Sequence, residues 1–146
     1  MNQDLMFLEQ AIELAIANKN KNARPFGAVL VKDNEVVTSG VNNMLENFDL
    51  SSHAELEAIR HATSLTKNFD LTGYKIYASA HPCPMCLAAI AMTNISEVIY
   101  AFDNADALPF NYSSQSTYDK LKLGEISFVK MTKLKTKYNA GDVYKN

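Results

Sequence analysis

Residues Lys75 to Ala101 read KIYASAHPCPMCLAAIAMTNISEVIYA, and the two cysteines in this stretch, Cys83 and Cys86, are the only two in the chain. Lys75 to Ser79 is a short strand by composition, Cys83 to Thr93 a helix, and Glu97 to Ala101 a second strand. Pro82 suits the helix's first turn, where a missing N–H is no loss. The helix is apolar nearly all round, which predicts that it lies buried between layers. Strand, helix and strand in succession predict an α/β fold.

Working outward, Asp4 to Asn18 is predicted helical, with Leu5, Leu8, Ile12 and Ala15 or Ile16 on one face. Phe26 to Lys32 and Glu35 to Val41 form a hairpin about an Asp33-Asn34 turn, and Asn42 to Ser52 is polar loop. His53 to Ser64 is a second helix, capped by Ser51 or Ser52, with Leu56, Ile59 and Thr63 sharing a face. Asp103 to Gln115 is expected to be loop, Ser116 to Leu121 a short helix and Ile126 to Val129 the last strand. The tail from Met131 is polar, dotted with lysine and expected to be partly mobile. This order predicts a mixed sheet with helices packed on it. No repeat or linker divides the chain, so residues 1–146 are expected to form one domain.

The 146 residues carry a net charge of −2, with 47% hydrophobic and 21% charged residues. Only Arg24 and Arg60 are arginines, which argues against nucleic acid as the main partner. No apolar run approaches the ~18 residues of a membrane span, and the N-terminal MNQDLMFLEQ lacks a signal peptide's basic head. A cytoplasmic location is expected. Disulfides are rare there, so the cysteine pair leans toward metal or catalysis.

Residues at i and i+3 share a helix face, so Cys83 and Cys86 can reach one ion. The positive end of the helix dipole favours their thiolates. A second helix opens on His53-Ala54-Glu55, also after a strand and a loop. Two such helix starts at one sheet edge can converge, giving one nitrogen and two sulfurs. Catalytic zinc keeps three protein ligands and an open position, whereas structural zinc is closed by four. Glu55, two residues past His53, need not bind the ion and can stand beside its water as a proton carrier. Backbone N–H groups near Ala54 and Cys83 could orient the oxygen or a ring. A lone CxxC also fits a redox pair or a structural zinc half-site, but no second CxxC or HxxxH exists. His61 reads as a surface histidine. His81, two residues before Cys83, is open between a structural hydrogen-bonding role, pocket lining and an extra ligand.

The HxE and PCxxC pair resembles the signature of the zinc deaminases. With Pro25-Phe26-Gly27-Ala28-Val29, Asn42-Asn43, His53-Ala54-Glu55 and Pro82-Cys83-Pro84-Met85-Cys86 in order, the chain up to about Ala101 resembles the cytidine-deaminase-like superfamily, nearest in pattern to its bacterial guanine deaminases. The resemblance implies a three-layer α/β/α fold with a mixed five-stranded sheet. It implies one Zn²⁺ per chain on His53, Cys83 and Cys86, the fourth ligand being water or hydroxide, and Glu55 as proton shuttle. It further implies base contacts from Asn42 and Phe26, and a homodimer or larger assembly with exchanged C-terminal segments. Three features depart from the pattern. His81 stands where Glu is usual. The guanine-reading aspartate position falls near Asn111 or Tyr112, with Asp103 and Asp106 as possible substitutes. The C-terminal segment is short and shows no apolar helix face.

These readings lead to the expectation of a hydrolytic deaminase of a free base, guanine first, releasing ammonia. Behind it stand a cytosine or cytidine, pterin or triazine deaminase, a tRNA adenosine deaminase using the lysines of 130–137, and a non-catalytic zinc-stabilised module.

Overall fold

The computed structural model describes residues 2–146. Seven helices and five strands follow in chain order: α1 (Asn2–Asn20), β1 (Gly27–Lys32), β2 (Glu35–Val41), α2 (Met44–Asn47), α3 (Ala54–Thr66), β3 (Lys75–Ala80), α4 (Pro84–Met92), β4 (Glu97–Phe102), α5 (Asn104–Ala107), α6 (Gln115–Lys120), β5 (Lys130–Lys133) and α7 (Ala140–Tyr144). A 3₁₀ turn, Leu108–Phe110, follows α5.

The strands form one sheet in the order β2-β1-β3-β4-β5. β1 is antiparallel to β2 and β3, while β3–β4 and β4–β5 are parallel, so the sheet is mixed as expected. Asp33 and Asn34 both take positive φ (51° and 63°), the conformation a two-residue hairpin needs to match strand twist.

Side chains alternate across the strands and feed two cores. On one face Ala28, Leu30, Ile76 and Val98 meet Ala58, Ile59 and Ala62 of α3 and Leu87 and Ile90 of α4. On the other, Val29, Tyr77 and Ile99 meet Phe7, Leu8 and Ile12 of α1 together with Val143 and Tyr144 of α7. This is the α/β/α layering the resemblance implied.

Six local expectations are corrected. The buried stripe of α3 is Ala54, Ala58, Ile59 and Ala62, with Leu56 and Thr63 only half-buried, because where the helix lies closest to the sheet alanine fits best. Gly40 shows this closeness: a Cβ there would stand 2.4 Å from the Ala54 carbonyl oxygen. Neither Ser51 nor Ser52 caps α3; Ser52 donates to Glu57 instead, at 2.8 Å. Helix α4 is not buried all round, since Met92 is 82% exposed and Ala88 and Ala91 are exposed beside it. The last strand is Lys130–Lys133, not Ile126–Val129, because Lys130 to Lys133 pair with Glu97 to Tyr100 at the sheet edge. The tail is tied down and ends in a helix with an apolar face, with Val143 fully buried and Tyr144 4% exposed. Short helices also interrupt the expected loops at 42–52 and 103–115.

Candidate active site

His53 is the N-cap of α3 and Cys83 the N-cap of α4, both in extended conformation, and neither side chain makes a capping hydrogen bond. Each is therefore free to face away from its own helix. They face each other. The His53 Nδ1 lies 3.5 Å from the Cys83 Sγ and 3.6 Å from the Cys86 Sγ. All three donor atoms fall within 4.8 Å of one another. Zn–N near 2.05 Å and Zn–S near 2.3 Å in a tetrahedron imply an N···S edge of roughly 3.6 Å. The nitrogen and both sulfurs thus fit zinc in kind and in spacing. Pro84, not Pro82, takes the first position of α4, and Pro82 precedes the cap.

The site's electrostatics follow from the same proximity. The Cys83 thiol is brought down to about 4, chiefly by its hydrogen bond from Cys86 and then by His53, against the cost of burial. Cys86 is pushed up by that same bond and by burial. His53 is raised, first by its hydrogen bond with Cys83. Two helix N-termini converge here, and their dipoles favour negative sulfur.

Glu55, 8% exposed, lies in the first turn of α3. Burial raises its carboxyl to about 7, and the charge of Cys83 adds to the effect. It opens on a cavity of about 130 Å³ whose walls include Phe26, Asn42, His53, His81, Cys83 and Asp103. Ala54 is wholly buried and is not among the walls. Asn42 Oδ1 accepts the Met44 N–H at 3.0 Å, which fixes the amide and leaves Nδ2 as the free donor of this wall residue. Phe26 is braced edge-on by Tyr112, ring centroids 5.5 Å apart, and by the tilted ring of Tyr144 at 5.9 Å.

His81 lines the cavity but is not part of the three-donor cluster. Its ring stands edge-on to Tyr100 and Tyr118, and its Nδ1 lies 3.0 Å from the Pro82 carbonyl. Burial holds its pKa down. The Asp103 carboxylate is already engaged: Oδ1 accepts the Asp106 N–H at 2.9 Å and Oδ2 the Lys133 ammonium at 3.0 Å. Asp106 is held by the same lysine at 2.9 Å and is not a wall residue. Asn111 lies outside this cavity, whereas Tyr112 forms part of its wall. His61 is exposed, as expected.

Seven wall residues carried no site reading in the sequence: the apolar Met44, Ala80, Phe102 and Ala107, and the polar Arg24, Asn104 and Ser114. Arg24 directly precedes the Pro25-Phe26-Gly27 stretch, which was the available signal.

A mixed α/β/α sheet holding one imidazole and two thiols at converging helix starts, with a buried carboxyl beside them, defines a zinc-dependent hydrolytic deaminase. The chain belongs to the cytidine and deoxycytidylate deaminase zinc-binding family, whose model matches residues 1–102. It is 36% identical over 116 residues to the guanine deaminase of Bacillus subtilis, an alignment covering 79% of this chain and 74% of that one. It is 34% identical over 99 residues to a tRNA-specific adenosine deaminase of Buchnera aphidicola, covering 68% and 61%. The X-ray structure of the Bacillus subtilis guanine deaminase superposes with a TM-score of 0.77 at 31% identity, covering 91% of this chain and 85% of that one.

Proposed function

We propose that the chain removes the amine of a free nucleobase or related heterocycle, guanine being the first ring to test, and releases ammonia. The observation that carries this is the buried Glu55 carboxyl opening into the same small cavity as His53 and Cys83. The identity to a guanine deaminase supports the choice of ring.

His53, Cys83 and Cys86 would hold the zinc. When bound, the metal supplies Lewis acidity that makes a water nucleophilic near neutral pH. Glu55 takes a proton from the attacking water on a carboxylate oxygen and gives it to the ring nitrogen beside the amine. The new C–O bond makes the carbon tetrahedral. Glu55 then moves the remaining hydroxyl proton to the amine, the C–N bond breaks, ammonia leaves and the carbon becomes a carbonyl. Phe26 packs on the ring, and the Asn42 amide donates to it. His81, held by its tyrosine neighbours, closes the cavity beside Cys83.

The relatives that act on tRNA favour a second reading, adenosine deamination in RNA. The lysines of 130–137 give it little support. Lys130 stands 3.7 Å from Glu97, and Lys133 is shared by Asp103 and Asp106. We read the 146 residues as one deaminase unit working in the cytoplasm in purine metabolism; no described helix is long and apolar enough to cross a membrane. The assembly we propose is a homodimer, for which the exposed Phe48 (98%), Met92 (82%) and Leu50 (75%) speak. The tail lies on its own α1, and an exchanged segment would have to remake those contacts.

The test is ammonia release from zinc-loaded protein offered guanine, adenine, cytosine, their nucleosides, pterin and triazine amines, and tRNA. Turnover of a free ring is expected. Release from tRNA alone would replace the first reading by the second, and release from none of them would overturn both.

A further inference from the structure

Arg24 is one of only two arginines in an acidic chain. Arg60 has a carboxylate partner, Glu57, at 2.7 Å. Among the described residues Arg24 has none within ion-pairing distance, and its Nε is buried with no hydrogen-bond partner. Its main chain is fixed, because the Arg24 carbonyl accepts the Asn18 side-chain amide at 2.7 Å and the Phe26 N–H at 2.9 Å. A guanidinium left unpaired at a partly buried position is costly unless an anion completes it.

Its position says where that anion would sit. Arg24 forms part of the wall of the catalytic cavity and of an adjoining groove of about 320 Å³, and His53, Cys83, Tyr112 and Ser114 are shared by both. The groove adds the apolar Leu50 and Met85 and the polar Asn111, Ser113 and Thr117, and no carboxylate is among its described walls. Ring cavity and groove thus adjoin, with a cation at the shared wall and hydroxyl and amide donors beyond it. The inner walls point the same way. Asn42 offers a donor, and the Asn104 Oδ1 is taken by the Ser114 N–H at 2.8 Å, leaving its amide nitrogen to donate. The only acidic wall residue besides Glu55, Asp103, is engaged by Lys133 and the Asp106 amide.

We propose that Arg24 is a specificity residue, and that the preferred substrate is an aminated heterocycle bearing an anionic oxygen group, phosphate or carboxylate, seated between Arg24 and the 111–117 segment. This rests on the deaminase chemistry proposed above and departs from its first choice of ring: a neutral free base such as guanine would be turned over less well than an anionic form. A guanidinium suits either anion, because it can meet two oxygens at once.

The experiment uses zinc-loaded parent, Arg24→Gln and Arg24→Lys. Each is assayed for kcat/KM on a neutral base, the matching nucleoside 5′-monophosphate and a carboxylated form of the ring, and titrated calorimetrically with inorganic phosphate and with the monophosphate. In the parent an anionic form is expected to be the better substrate. In Arg24→Gln the ratio of anionic to neutral kcat/KM is expected to fall roughly 10- to 100-fold, with a similar loss in monophosphate affinity. Arg24→Lys should recover part of it if phosphate is the group, and less if a carboxylate requires the planar fork. The proposal is overturned if the neutral base is preferred by the parent, if the ratio is unchanged in Arg24→Gln, or if only an RNA stem-loop is turned over. If no compound releases ammonia, the deaminase reading fails, and the titrations still decide whether Arg24 holds an anion. Thermal unfolding of each variant separates a lost contact from a lost fold.

Discussion

His53, Cys83 and Cys86 must each be deprotonated at the atom that meets zinc, whereas Glu55 is needed for its ability to carry a proton. The two roles separate in variants. Cys86 is fully buried and supplies one of only two sulfurs, so Cys86→Ala should leave less than one tenth of the parent's zinc by atomic absorption. Glu55→Gln keeps the shape and all three donors. It should retain full zinc yet lose about 10²- to 10⁴-fold in kcat, the range for removing a general acid–base. A Glu55→Gln protein turning over at the parental rate would dismiss the proton-carrier role. These four residues were legible in the sequence because the chemistry demands particular side chains at short spacing. Asn104 and Ser114 were not, because they reach the cavity from a segment whose residue types and spacing record nothing of that meeting, and Arg24 had only its place before Pro25-Phe26-Gly27 to mark it.

At the scale of elements, the site depends on how closely α3 approaches the sheet. A Cβ on Gly40 would stand 2.4 Å from the Ala54 carbonyl, 2.6 Å from the Ala58 nitrogen and 2.9 Å from the Glu57 Cβ. Two of these are helix backbone, so α3 itself must shift. Gly40→Ala should therefore cost about 1–3 kcal/mol in urea unfolding and, because His53 caps that helix, weaken zinc binding as well. An unchanged midpoint with unchanged zinc affinity would show that α3 yields freely. The alanine stripe that permits this closeness escaped a reading based on large apolar residues. The edge strand β5 was misplaced for a related reason: a four-residue edge strand with lysine at both ends and a single apolar residue, Met131, carries almost no hydrophobic pattern. A second element-level prediction concerns α5. Asp103 caps it and has its carboxyl held below the usual range by the Asp106 N–H, then by Lys133. A folded pKa below the unfolded value of about 3.9 means the contribution is complete above that pH and disappears as pH falls through the lower folded value. Asp103→Asn should consequently show a shallower loss of stability than the parent on acidification below pH ~4, measured by urea titration at several pH values.

The whole molecule is closed by its last residues. The Lys19 ammonium donates to the carbonyls of Asp142 at 2.8 Å and Lys145 at 2.9 Å, and the Tyr138 hydroxyl to Glu13 at 2.8 Å, so the tail is bound along its own α1. Tyr144 then packs against Phe26, Phe102, Phe110 and Tyr112, which places the tail behind the ring that faces the substrate. Lysine is the commonest residue of this segment, and its two buried side chains, Val143 and Tyr144, are too few to register as a periodic face. Tyr144→Ala should cost about 3–5 kcal/mol, as for other large aromatic truncations, and should raise KM for the ring by loosening Phe26. The same variant bears on how the tail is shared. A homodimer links folding to association, so its melting temperature rises with protein concentration wherever the tail lies. A tail docked on its own chain leaves that rise in place in Tyr144→Ala, whereas an exchanged tail makes the rise depend on Tyr144. A steady rise that Tyr144→Ala abolishes would mean that the aromatic wall behind Phe26 is built by the neighbouring subunit.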